Sequence, residues 1–184
     1  LLSRGLGDVY KRQHEVGLKV VLDFVPNHVA RQYHSDTAPE GVDDLGAHDN
    51  KEMHFSPSNN FYYIPRQAFT PQFYIGEGED RYFEYPAKAT GNDCFGAFPG
   101  EYDWYETVKL NYGVDYTGGG RCHFDPIPDT WYKMLDILLF WCGKGADAFR
   151  CDMAHMVPVE FWNWAISKVK ENYPSVIFLS LIHI

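Results

Sequence analysis

Arg150 and Asp152, in the segment ADAFRCD, are separated by a single residue. Period-2 strand geometry puts both on one face, with Phe149 and Cys151 on the other. An arginine so placed can hold a carboxylate ionised and oriented through charge-assisted hydrogen bonds, as a nucleophilic carboxylate requires. A structural ion pair at a strand end is the competing reading. The second polar group is Asp23-Phe24-Val25-Pro26-Asn27-His28. Here Pro26 biases the backbone out of regular structure as an apolar run ends, which leaves Asn27 and His28 at a rim. An imidazole there can donate to a sugar hydroxyl, and an amide oxygen is a hard ligand suited to Ca²⁺. Taken alone, this motif reads first as a strand-end turn, with Asp23 a buried hydrogen-bonding residue.

These residues need elements to position them. Gly17 to Val25, GLKVVLDFV, is almost continuously apolar and β-branched, the pattern of a strand buried on both faces of a parallel sheet. From about Arg31 to Ile127 the periodicity disappears, and GEGED, ATGND and TGGGR mark turns. That stretch is too long for a simple loop and predicts a small subdomain with short strands. A helix is expected from Pro128, with Asp129 as N-cap and Trp131, Met134, Leu135, Leu138, Leu139 and Cys142 on one face, stopped by Gly143 and Gly145. The strand ADAFRCD follows. A second helix is expected with Pro158 at its first position, running through Phe161, Trp162, Ala165, Ile166 and Val169 to Pro174. Val176, Ile177 and Phe178 then open another strand. Strand, insertion, helix, strand, helix, strand is the βαβ rhythm of a parallel sheet, in a barrel or a doubly wound fold. In a barrel, inward residues at the C-terminal strand ends line the active site.

GLKVVLDFVPNH, an insertion, and then GADAFRCDMAH resemble the first and second conserved regions of the α-amylase family, glycoside hydrolase family 13. The resemblance covers about His14 to Phe178. It implies an α/β fold, a partial TIM (β/α)8 barrel of the third to fifth strands, with an inserted domain B after the third. Residues 14–30 would hold the third strand, 31–127 domain B, and 128–178 the helix, strand, helix and strand that follow. The implied activity is retaining cleavage of α-glucosidic bonds in starch- or glycogen-like α-glucans or malto-oligosaccharides. Within it, Asp152 matches the nucleophile and Arg150 the residue that positions it. His28 matches a histidine that contacts the sugar at the cleavage subsite, and Asp23 an aspartate that supports the site. Asn27 matches a ligand of a structural calcium in many members. The family usually carries Lys-His at the third and fourth positions after the nucleophile, where this chain has His155 and Met156. His155 is then either a subsite residue or a packed structural one. The segment VKLNYGVDY, around Asn111 and Asp115, loosely resembles a short domain B motif near the calcium and the cleft.

The family's general acid is a glutamate at the end of the fifth strand, a couple of residues beyond Phe178. The 184-residue chain by itself is therefore expected to be inactive. Hydrolysis and transglycosylation use the same residues, since either water or a second sugar can resolve a glycosyl-enzyme. A non-catalytic relative that keeps the barrel for binding is a further alternative, against which the intact Asp152 and Arg150 argue. Another is a metal-dependent barrel hydrolase with His28, Asp152 and His155 as zinc ligands.

A net charge of −9 and a pI near 5.3 give no electrostatic footprint for a polyanion, which makes nucleic acid and acidic membrane surfaces poor candidate partners and suits a neutral substrate. No apolar run approaches the roughly 18 residues of a membrane span. The cysteines Cys94, Cys122, Cys142 and Cys151 show no CxxC spacing, which leaves the compartment open. Residues 1–13 carry no convincing helix or strand period and read as an appendage. Residues 7–13, GDVYKRQ, and 179–184, LSLIHI, can be back-translated into reverse complements that match a transposon end used in sequencing libraries, so both ends are expected to be foreign.

Overall fold

In the computed structural model, residues 2–34, 40–73 and 82–180 are described, with side chains from residue 9 onward. The expected turn cluster GEGED and the final residues 181–184 lie outside them. The chain divides into two compact units, Leu1–Asn27 with Trp131–Ile184, and His28–Thr130.

The first unit is built from helix-then-strand repeats. Helix α1 (Leu2–Glu15) leads into β1 (Val21–Phe24), α2 (Asp129–Gly143) into β8 (Ala148–Cys151), and α3 (Val159–Asn172) into β9 (Ile177–Ser180). The strands form one parallel sheet in the order β1-β8-β9, with Asp23 opposite Arg150 and Phe149 opposite Phe178. Helix α2 ends in a Schellman motif: the Gly145 N–H reaches the Cys142 carbonyl at 3.0 Å and the Ala146 N–H reaches Trp141 at 3.1 Å. Gly145 has φ +101°, a left-handed conformation that a β-carbon disfavours, so the chain reverses there and enters β8.

Packing follows the helical periods. Trp131, Met134, Leu135, Leu138 and Cys142 of α2 are buried, as are Phe161, Ala165 and Val169 of α3. Their aromatic members interlock, with Trp131 against Phe161 at 5.7 Å and Phe149 stacked on Phe178 at 5.6 Å. Each fully buried Phe or Leu side chain contributes about 1.5–3 kcal/mol. Pro158 precedes α3 as its cap instead of occupying the first helical position.

Two expectations differ from the structure. Residues 1–13 do not form an irregular appendage: they lie mostly within α1, where Tyr10 is buried and packs on Trp141 at 6.4 Å. The fit is imperfect, because the buried Gln13 Oε1 has no hydrogen-bond partner. The run 17–25 is strand over only part of its length. Only Val21–Phe24 forms β1, with Val21 exposed and Val20 and Phe24 buried.

The second unit holds three two-stranded antiparallel ladders: β2 (His28–Ala30) with β5 (Thr107–Lys109), β3 (Tyr63–Ile64) with β4 (Ala87–Lys88), and β6 (Val114–Asp115) with β7 (Arg121–Cys122). So little regular structure needs side chains to satisfy the backbone. The buried Arg31 donates to the carbonyls of Tyr105, Thr107 and Lys88 and pairs with Glu84 at 2.6 Å, while its guanidinium lies 4.1 Å from the Phe69 ring centre. Glu84 in turn accepts the Lys88 N–H and the Tyr82 hydroxyl. Asn111 is fully buried, donates to the Ser56 carbonyl and accepts from the Gly113 N–H; Asp115 accepts from Thr117 and the Gly118 N–H. In this structure the VKLNYGVDY segment therefore ties turns together. No helix among the described residues is long and apolar enough to cross a membrane.

Candidate active site

The parallel pairing of β1 with β8 brings three of the predicted residues together. Asp23 stands beside Arg150 in register, and the Asp152 N–H, just past the end of β8, reaches the Phe24 carbonyl at 2.9 Å. The guanidinium then bridges two carboxylates: Arg150 Nη1 lies 3.3 Å from Asp23 Oδ2, and Nη2 lies 3.0 Å from Asp152 Oδ1. Phe149 and Cys151, on the opposite face, are buried, as the period-2 reading requires.

Exposure separates the two acids. The Asp152 side chain is 28% exposed and that of Asp23 is 64% exposed. Ion pairs this open to water contribute about 0–1 kcal/mol to stability, so the consequence of the bridge is orientation of Asp152.

The loop after Asp152 is braced. Met153 adopts left-handed φ 48° and ψ 35°, an uncommon conformation for a residue with a β-carbon, and a 3-10 turn follows at Ala154–Met156. Trp162 of α3 donates its indole N–H to the Ala154 carbonyl at 3.0 Å and packs its ring edge-on against Phe24 at 6.2 Å. One side chain thus touches residues flanking both Asp152 and Asp23. Sequence reasoning placed Trp162 on a helix face and missed this contact. The available signal was the indole itself, whose N–H must find an acceptor once the ring packs inward.

The remaining predicted residues are placed separately. His155 is exposed on the 3-10 turn. Asn27 is buried at 1% exposure. His28 belongs to the second unit, where it opens β2 opposite Lys109 and its ring lies 5.3 Å from that of Trp104. Among the described residues no three His, Cys, Asp or Glu side chains form a group able to hold a metal ion, which gives the zinc alternative no support. Asn27 supplies one hard amide oxygen without such a cluster beside it.

No family model matches the chain. It is 44% identical over 88 residues to the alpha-1,4-glucan:maltose-1-phosphate maltosyltransferase of Cereibacter sphaeroides, a stretch that covers 45% of the chain and 15% of that protein. It is 42% identical over 52 residues to the protein of the same name from Rhodospirillum rubrum, covering 28% of the chain and 8% of the relative. The matches thus span only a small part of either relative. Among solved structures, ligand-free cyclic alpha-maltosyl-(1→6)-maltose hydrolase from Arthrobacter globiformis matches with a TM-score of 0.55 at 16% identity, over 97% of the chain and 30% of that protein. A maltogenic amylase from S. marinus matches with a TM-score of 0.53 at 18% identity, over 97% of the chain and 23% of that protein. At these identities the structural likeness speaks for the fold alone, and no closed barrel is present among the described residues. The chain is thus similar in local sequence to these maltosyltransferases and similar in fold to these two solved enzymes.

Proposed function

We propose that this chain carries the nucleophile-bearing segment of a retaining enzyme that acts on α-glucosidic bonds in α-glucans or malto-oligosaccharides. The observation that carries the reading is the Arg150 guanidinium bridging Asp152 and Asp23 at the exits of adjacent parallel strands. In this reading β1, β8 and β9 are the third, fourth and fifth strands of a (β/α)8 barrel, and the unit His28–Thr130 is its inserted domain. Asp152 attacks the anomeric carbon as the bond to the leaving oxygen breaks. That oxygen takes its proton from a separate acid, for which the family resemblance implies a glutamate about 5 Å from the nucleophile. His28 contacts the sugar at the cleavage subsite, and His155 lines the approach. Arg150 keeps the attacking carboxylate anionic and aimed.

The acceptor decides between hydrolysis and transfer. The names of the two relatives favour transfer as a second reading, in which a maltosyl group passes from phosphate to a glucan hydroxyl. In the full-length protein, Asp152→Asn is expected to abolish turnover while leaving the fold intact; retained turnover overturns the nucleophile role. Supplying maltose 1-phosphate with glucan separates the two outcomes: phosphate release with glucan elongation marks transfer, and new reducing ends from glucan and water mark hydrolysis.

A further inference from the structure

His28 does not stand in an open turn: the second unit builds a cradle around its ring. Trp104 lies against it with ring centres 5.3 Å apart and planes at 61°, an edge-on arrangement that fixes both the position and the tilt of the imidazole. The opposite constraint comes from Gly91. A β-carbon there would sit 2.9 Å from His28 Cβ, 3.0 Å from Cγ and 2.6 Å from Thr107 Oγ1, closer than real contacts allow, so only glycine lets that turn close on the histidine.

The cradle is itself held by hydrogen bonds that owe nothing to the Trp104 side chain. The Trp104 N–H donates to Asn92 Oδ1 at 3.0 Å, and its carbonyl accepts from the Thr107 N–H at 2.9 Å and the Thr107 hydroxyl at 2.7 Å. Thr107 Oγ1 also accepts the Gly91 N–H at 3.0 Å, which links the two walls. The cross-strand pairing of His28 with Lys109 fixes the backbone beneath. Trp104 is 36% exposed, so a bulky apolar ring is kept at the surface in this arrangement instead of being drawn into the core.

We infer that Trp104 is a positioning residue that, with Gly91, aims the His28 imidazole at a bound sugar. This rests on the reading of His28 as a sugar contact. A misplacement of about 1 Å at a substrate-contacting group costs roughly a hundredfold in rate, which is the scale on which a missing wall is felt. Because the hydrogen bonds of Trp104 are backbone ones, Trp104→Ala removes the ring and keeps the turn, and Trp104→Phe restores an aromatic edge.

The test has two arms. In the 184-residue chain, the His28 ring proton signals, identified with His28→Gln, are expected to move in Trp104→Ala and to return toward their original positions in Trp104→Phe; unmoved signals overturn the contact. In the full-length protein, His28→Ala and Trp104→Ala are expected to lower kcat/KM on a malto-oligosaccharide by about ten- to a hundredfold each. The double variant should be no worse than His28→Ala alone, and Trp104→Phe should recover most of the loss. Additive losses, or full activity in Trp104→Ala beside a loss in His28→Ala, overturn the positioning role alone. Full activity in His28→Ala with the NMR contact intact overturns the sugar-contact reading on which the inference rests.

Discussion

Arg150 Nη2 lies 3.0 Å from Asp152 Oδ1, reaching along one strand face, while its Nη1 reaches Asp23 across the sheet at 3.3 Å. A planar guanidinium can serve two carboxylates at once because its N–H groups are fixed in a fork; an ammonium on a flexible stem cannot hold both at defined angles. Arg150→Lys in the full-length protein is therefore expected to keep the charge and lose the aim, lowering kcat by about ten- to a hundredfold with KM little changed. Steady-state kinetics on one malto-oligosaccharide checks it. A rise in KM at constant kcat would instead mean that Arg150 binds substrate and leaves Asp152 alone.

Arg31 and Glu84 make a different kind of pair, nearly sealed from water at 4% and 6% side-chain exposure. Burial lowers the Arg31 pKa and the adjacent Glu84 opposes that shift, so the guanidinium depends on its partner. Removing one member leaves a buried charge with incomplete compensation. Glu84→Ala is expected to destabilise the second unit by about 3–5 kcal/mol, whereas Arg31→Met with Glu84→Leu should cost clearly less. Urea unfolding followed by tryptophan fluorescence reads both, with Trp104 as a reporter inside that unit. Equal losses in the single and double variants would show that the carbonyl contacts of Arg31, and not its charge pairing, hold the segments together.

How much of this was legible depends on the range of the interaction. The helices and the two-residue alternation of Phe149, Arg150 and Cys151 follow from local periodicity, and they place Arg150 and Asp152 on one face. Asp23 could be named from its motif, but both its pairing with Arg150 and the approach of the Asp152 N–H to Phe24 depend on strand register. No local pattern encodes either. The Arg31–Glu84 pair spans 53 residues of chain with hardly any regular structure, so nothing periodic announced it. Trp162 was visible as a helix-face residue, yet its link to Ala154 needs the left-handed turn at Met153, a conformation sequence rules assign to glycine or asparagine before methionine.

Asp147 ties the start of β1 to the approach to β8. Its carboxylate accepts the Val20 N–H at 2.8 Å and lies 2.7 Å from His14 Nε2 and 3.1 Å from Lys19 Nζ. Burial alone would raise the Asp147 pKa, but the Val20 N–H, His14 and Lys19 outweigh it and hold the group at about 2. A carboxyl whose folded pKa lies below its unfolded value of roughly 3.9 favours the folded state when ionised. That contribution is therefore complete well above pH 4 and is lost as pH falls toward 2. Since the group is partly open to solvent, screening limits it to about 1 kcal/mol. Asp147→Asn should thus be less stable than the parent chain by about that much at pH 7, and the gap should close between pH 4 and pH 2. Paired urea titrations across this range measure it. A gap that stays constant down to pH 2 would assign the stabilisation to hydrogen bonding that asparagine cannot reproduce, and not to the charge of the carboxylate.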